Sequence, residues 1–152
     1  MKDHKLVTIL LVEDDPGHAR LIEKNLRRAH LANDIIVLDN GQKAIDFLLH
    51  QGEYANDRHL DPLLILLDLN LPIKSGFQVL QVIKADERTK HIPVVMLTTS
   101  EVPQEIERCY ALGCNVYVTK PVEYEQFSEA IRNLGLFLSV VKIPKMEAGD
   151  ER

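Results

Sequence analysis

Tryptophan is absent from the chain, and its 152 residues carry only four phenylalanines, four tyrosines and two cysteines. Cys109 and Cys114 match neither a zinc-ligand spacing nor a CxxC motif, so the expected state is two reduced thiols in a cytoplasmic protein. Positive charge is in deficit: the formal net charge is -5, which argues against a nucleic-acid partner. No apolar run approaches the ~20 residues that cross a bilayer, and Met1-Lys2-Asp3-His4-Lys5 leads into the first apolar run without a signal-peptide core. A glycine-rich phosphate loop is missing too. The first strand ends in acidic Glu13-Asp14-Asp15-Pro16, which excludes a nucleotide cradled by backbone N–H groups. The six histidines (His4, His18, His30, His50, His59 and His91) form no HExxH pair and read as solvated.

Hydrophobic residues make up 45% of the chain, enough for a core in one domain. Four short apolar runs stand out, each followed by a chemically distinctive residue. Ile9-Leu10-Leu11-Val12 leads to Glu13-Asp14, Leu63-Leu64-Ile65-Leu66-Leu67 to Asp68, Val94-Val95-Met96-Leu97 to Thr98, and Val116-Tyr117-Val118-Thr119 to Lys120. Runs of this length read as strands buried on both faces, as in a parallel sheet. Between them lie helical periodicities over Pro16–Arg28, Gln42–His50, Phe77–Ala85, a segment capped by Ser100 and stopped at Gly113, and Glu123–Val141. Strand Ile35–Leu38 completes five β–α units. The pattern predicts a doubly wound α/β domain with flavodoxin-like strand order 2-1-3-4-5 over residues 6–141, and a disordered tail over 142–152.

In such a sheet the ligand site lies beyond the carboxyl ends of the strands, so Glu13, Asp14, Asp68, Thr98 and Lys120 are expected at one edge. Clustered carboxylates repel and favour a cation. An all-oxygen donor set suits Mg²⁺, or Mn²⁺, rather than zinc. Lys120 offers a movable charge and Thr98 a hydroxyl for a phosphoryl group. Asp68 is then the expected nucleophile, since carboxylates form acyl phosphates. A dehalogenase-type phosphatase needs an acid two residues after its nucleophile, and that position is Asn70. A cofactor-binding flavodoxin fails on the acidic first loop.

Leu11-Val12-Glu13-Asp14-Asp15, Leu67-Asp68-Leu69-Asn70-Leu71-Pro72, Lys74-Ser75-Gly76, Leu97-Thr98-Thr99-Ser100 and Tyr117-Val118-Thr119-Lys120-Pro121 together resemble the receiver domains of two-component response regulators. The resemblance implies Asp68 as phosphoacceptor and Asp14, Asp68 and the Asn70 carbonyl as metal ligands, with Glu13 acting through a water. It implies a cis peptide at Lys120-Pro121, a histidine kinase as donor and a switch from Thr98 to Tyr117. It also implies self-catalysed phosphorylation and dephosphorylation rather than turnover of an external substrate. Gln51-Gly52-Glu53-Tyr54 and Val140-Val141-Lys142-Ile143-Pro144 further resemble single-domain regulators partnered with bacterial phytochromes, although Leu136-Phe137-Leu138 lacks the tryptophan often found there. Thr99 stands where alanine or glycine is usual and is expected to crowd the phosphoryl pocket.

Leu136, Phe137, Leu138, Val140 and Val141 form a nearly continuous apolar run, more than one buried helix face uses. The leading expectation is a homodimer through strand five and this helix; contact with the kinase or a histidine phosphotransfer protein is the alternative. Relay of the phosphoryl group to such a phosphotransfer protein is the alternative function, and a receiver fold without phosphorylation is disfavoured by the complete residue set.

Overall fold

The structure, a computed structural model, describes residues 7–29, 32–56, 63–121 and 123–138, and the backbone alone for Tyr124 and residues 135–138. The tail expected over 142–152 and the apolar positions Val140 and Val141 lie outside the described residues, as do the side chains of Leu136, Phe137 and Leu138.

Five strands, β1 (Thr8–Val12), β2 (Ile35–Leu38), β3 (Leu63–Leu67), β4 (Val94–Thr98) and β5 (Val116–Thr119), alternate with helices α1 (Pro16–Arg28), α2 (Gly41–Leu49), α3 (Gly76–Ala85), α4 (Pro103–Leu112) and α5 (Tyr124–Leu138). The sheet runs β2-β1-β3-β4-β5 with every pair parallel, the order the alternation predicts. Because side chains alternate across a strand, each strand feeds two cores. Leu10, Val12, Ile65 and Leu67 pack with Ala44, Ile45, Val79, Leu80, Ile83 and Cys109 of α2, α3 and α4. Ile9, Leu11, Leu64 and Leu66 pack with Ala19, Ile22 and Leu26 of α1 and Phe127 and Ile131 of α5. That two-sided burial explains why β1, β3 and β4 read as unbroken apolar runs.

Helix starts follow local chemistry. Asp15 caps α1, its carboxylate accepting from the N–H groups of Gly17 and His18 ahead of Pro16 at the first helical position. Ser75 caps α3 in a reciprocal box with Gln78. Ser100 does not cap α4 as its residue type suggests. Pro103 fixes the first turn, where a missing N–H costs nothing, so the cap position falls on Val102 with no side-chain bond. Ser100 instead donates its hydroxyl hydrogen bond to Glu105 and accepts one from the Val102 N–H. Gly113 ends α4 at φ 111°, the left-handed stop its sequence position indicates.

The peptide after Lys120 corrects another expectation. Among the described residues no peptide bond is cis, so Lys120-Pro121 is trans, the isomer an X–Pro bond intrinsically prefers.

The loop from β3 to α3 holds a strained residue. Ile73 sits at φ 70°, at the centre of a tight turn closed by the Lys74 N–H donating to the Pro72 carbonyl at 2.8 Å, and its side chain is 71% exposed. A β-branched residue there is a steric outlier that gains little from burial. Ile73→Gly, which takes a positive φ without steric cost, is expected to raise stability by about 1 kcal/mol. Urea denaturation measures it, and an unchanged or lowered midpoint would show that the turn is not strained.

Candidate functional site

The strand pairing continues one residue past the strand ends, and that continuation assembles the site. The Glu13 N–H donates to Leu38 O at 3.0 Å, the Asp68 N–H to Val12 O at 3.2 Å and the Lys120 N–H to Thr98 O at 2.7 Å. Glu13, Asp68, Thr98 and Lys120 are thereby held side by side at the carboxyl edge, and all four are buried. Of the three carboxylates Glu13, Asp14 and Asp68, Asp14 is the exposed one.

Lys120 is 3% exposed, and its ammonium bridges two carboxylates, with Nζ 2.5 Å from Glu13 Oε1 and 3.1 Å from Asp68 Oδ2. The second oxygen of each carboxylate is also engaged. Glu13 Oε2 accepts from the Asp15 N–H at 3.2 Å and Asp68 Oδ1 from the Asn70 N–H at 3.3 Å. Burial pushes the Glu13 carboxyl above its ordinary pKa, opposed by its hydrogen bond and charge pairing with Lys120. Asp15 moves the other way, its carboxylate stabilised first by the His18 N–H.

One oxygen from each of Glu13, Asp14 and Asp68 can be drawn from within a 4.8 Å span. The open side continues into a groove of about 500 Å³ between α1, the end of β2 and α2, lined in part by Arg20, Asp39, Lys43 and Tyr54. Thr98 presents the opposite chemistry. Its hydroxyl is fully buried and has no hydrogen-bond partner, a costly arrangement for a polar group. Thr99 beside it is exposed.

Tyr117 lies partly buried against the α2–α3–α4 core. Its hydroxyl donates to the Ser100 carbonyl at 2.8 Å, and its N–H donates to the Tyr110 hydroxyl at 3.0 Å. The ring therefore ties β5 to the loop that follows Thr98.

Residues 9–132 match the family profile of the response regulator receiver domain. The chain belongs to that family. It is a signalling domain. Response regulator Rcp1 of Synechocystis is 40% identical over 137 residues, covering 90% of this chain and 92% of its own. The Mn²⁺-bound form of Rcp1 superposes with a TM-score of 0.84 at 39% identity, over 91% of this chain and 99% of that one. The phosphorylated cyanobacterial phytochrome response regulator RcpA gives 0.83 at 38% identity, over 92% and 99%. A receiver domain from Rhodospirillum rubrum gives 0.83 at 47% identity, over 93% and 100%.

The receiver's acidic cluster fits the same hard divalent ions. Its side-chain donors are all oxygen, with no histidine or cysteine among them, the chemistry that Mg²⁺ and Mn²⁺ take. No helix among the described residues is long and apolar enough to cross a membrane.

One site residue escapes the sequence reading. His18, read there as solvated, places Nδ1 3.4 Å from Lys120 Nζ. Its only sequence signal is position: it stands in the first turn of the helix that follows Glu13-Asp14, and therefore at the same sheet edge.

Proposed function

We propose that this receiver accepts a phosphoryl group from the phosphohistidine of a histidine kinase onto Asp68. The observation that carries the reading is Lys120 Nζ at 3.1 Å from Asp68 Oδ2 beside an unpartnered, buried Thr98 hydroxyl. A carboxylate oxygen of Asp68 forms the new bond to phosphorus as the P–N bond to the donor imidazole breaks, and the imidazole nitrogen leaves with that electron pair. Lys120 exchanges a carboxylate for a phosphoryl oxygen, and Thr98 donates its hydroxyl to another. Asp14, Asp68 and the Asn70 carbonyl would hold a divalent cation, with Glu13 acting through a water, and the bound ion would supply positive charge against the incoming phosphoryl group. Hydrolysis at the same site makes the signal self-limiting.

Thr98 drawn toward the phosphoryl group loosens the loop that Tyr117 grips through Ser100, which changes the α4–β5–α5 face. Exposed Val102, Tyr110 and Val116 support that face as a partner surface, including a homodimer through β5 and the C-terminal helix. End-point signalling is favoured over onward relay to a phosphotransfer protein, for which no feature of the site speaks. The similarity to the phytochrome response regulator RcpA supports a phytochrome-type kinase as donor. Two free buried thiols, with Cys109 pushed up to about 11 by burial, support work in the reducing cytoplasm.

The test is phosphotransfer from an autophosphorylated phytochrome-type histidine kinase. Label should move to the wild type only with Mg²⁺ present and not to Asp68→Asn. Transfer to the variant, or none to the wild type, contradicts the reading.

A further inference from the structure

We propose that His18 is a positioning residue of this site, its imidazole serving as the third acceptor that orients the Lys120 ammonium. The inference rests on the reading of Asp68 as phosphoryl acceptor.

An ammonium has three N–H donors and no lone pair. Two of those of Lys120 are met by Glu13 and Asp68. The remaining neighbour is His18 Nδ1, at 3.4 Å. Since the ammonium can only donate, a hydrogen bond between the two needs a lone pair on Nδ1, the tautomer with its ring proton on Nε2. The imidazole is fixed on several sides. Its backbone N–H donates to Asp15 Oδ1 at 3.1 Å, and its ring meets the buried Phe127 ring edge-on, with centroids 5.4 Å apart and planes at 88°. Glu13 Oε2 and Asp15 Oδ2 each stand 3.9 Å from Nδ1.

This arrangement matters because both other acceptors carry charge. Left to them, the ammonium is drawn onto Glu13 and Asp68 and must be pulled off both when a phosphoryl group arrives. The contact with His18, at 3.4 Å, is the longest of the three, and it lies on the partly exposed side, where the His18 side chain is 39% exposed. It holds one N–H away from both carboxylates, so that Lys120 turns to the phosphoryl oxygen without first leaving both. A helix-capping or packing role alone would need only the backbone N–H and the ring's contact with Phe127.

The experiment compares phosphorylation rates with acetyl phosphate across a Mg²⁺ titration for the wild type, His18→Leu, His18→Asn, Lys120→Met and the His18→Leu/Lys120→Met double variant. Leucine keeps bulk against Phe127 and lacks an acceptor; asparagine places Oδ1 where Nδ1 stands. His18→Leu should slow phosphorylation by about three- to ten-fold, the span one hydrogen bond of ordinary net strength supports. The half-saturating Mg²⁺ concentration should stay unchanged, His18→Asn should recover most of the rate, and His18→Leu should have no further effect when Lys120 is absent. An unchanged rate in His18→Leu, equal losses in the leucine and asparagine variants, or the same loss with and without Lys120 would overturn the proposal. Phosphotransfer from the histidine kinase, run alongside on the wild type, tests the parent reading separately: no transfer there overturns that reading, and this one with it.

Discussion

Replacing Lys120 by methionine is expected to destabilise the metal-free protein at pH 7 by about 3–5 kcal/mol, the cost of leaving buried charges without their partner. Glu13 is 2% exposed and Asp68 7%, and Lys120 is the cation within hydrogen-bond reach of both. The loss should depend on pH with a definite sign. The folded-state pKa of Glu13 is already raised by burial, and Lys120 is what opposes that rise. Without Lys120 it climbs further. A raised carboxyl pKa means that the folded state holds the proton more tightly than the unfolded chain. The stability it contributes is therefore present below the unfolded value and lost as pH rises through the folded value. Relative to the parent, Lys120→Met should recover part of its deficit between pH 7 and pH 5. Added Mg²⁺ should recover part of it at pH 7, because an ion bound only by the folded state stabilises it by mass action. Denaturant unfolding in chelator and in Mg²⁺ at the two pH values measures both effects. A deficit independent of pH and metal would show that the ammonium does not neutralise this cluster.

Gly76→Ala is expected to lower stability by about 2 kcal/mol and to impair phosphoryl acceptance as well. Alanine is the better helix former by up to about 1 kcal/mol, so propensity alone predicts a gain. The opposite sign follows from what surrounds the position. A Cβ on Gly76 would stand 2.2 Å from the Asp68 carbonyl oxygen and 2.6 Å from Leu69 Cα. Those are backbone atoms, which no rotamer change can clear, so α3 or the loop carrying Asp68 must move. Leu26→Ala is the matching control. Leu26 is fully buried between α1 and the sheet, and its truncation costs about 2–5 kcal/mol without touching the Asp68 loop. Under conditions where both variants remain folded, Gly76→Ala should accept phosphoryl more slowly than Leu26→Ala. Equal rates would show that Gly76 does not help to place Asp68.

The parts legible in the sequence are those fixed by local periodicity. β2, β3 and β5 fall on the residues the sequence indicates, and β1 and β4 each extend one residue beyond their apolar runs, to Thr8 and Thr98. In β1, β3 and β4 burial on both sheet faces leaves no alternation to misread. The gathering of Glu13, Asp68, Thr98 and Lys120 was legible for a related reason: in a parallel sheet the strand ends share an edge, so the residue after each run must lie beside the next. What escaped depends on a second element. Ser100 looks like a cap until Pro103 fixes the helix start. The Lys120-Pro121 bond takes the trans form that an X–Pro bond intrinsically prefers, not the cis form the resemblance implied. His18 carries no motif, and its approach to Lys120 is set by how α1 lies against Phe127 of α5. The strain at Ile73 arises from a turn whose closing hydrogen bond joins its two neighbours.

The central claim is that Asp68 is the phosphoryl acceptor and that its chemistry needs a divalent cation. Intact-mass analysis after incubation with acetyl phosphate, with and without Mg²⁺, tests it on the wild type and Asp68→Asn side by side. The account predicts a single added phosphoryl group on the wild type, dependent on Mg²⁺ and absent from the variant. An addition that survives Asp68→Asn, or forms equally well in chelator, would contradict it.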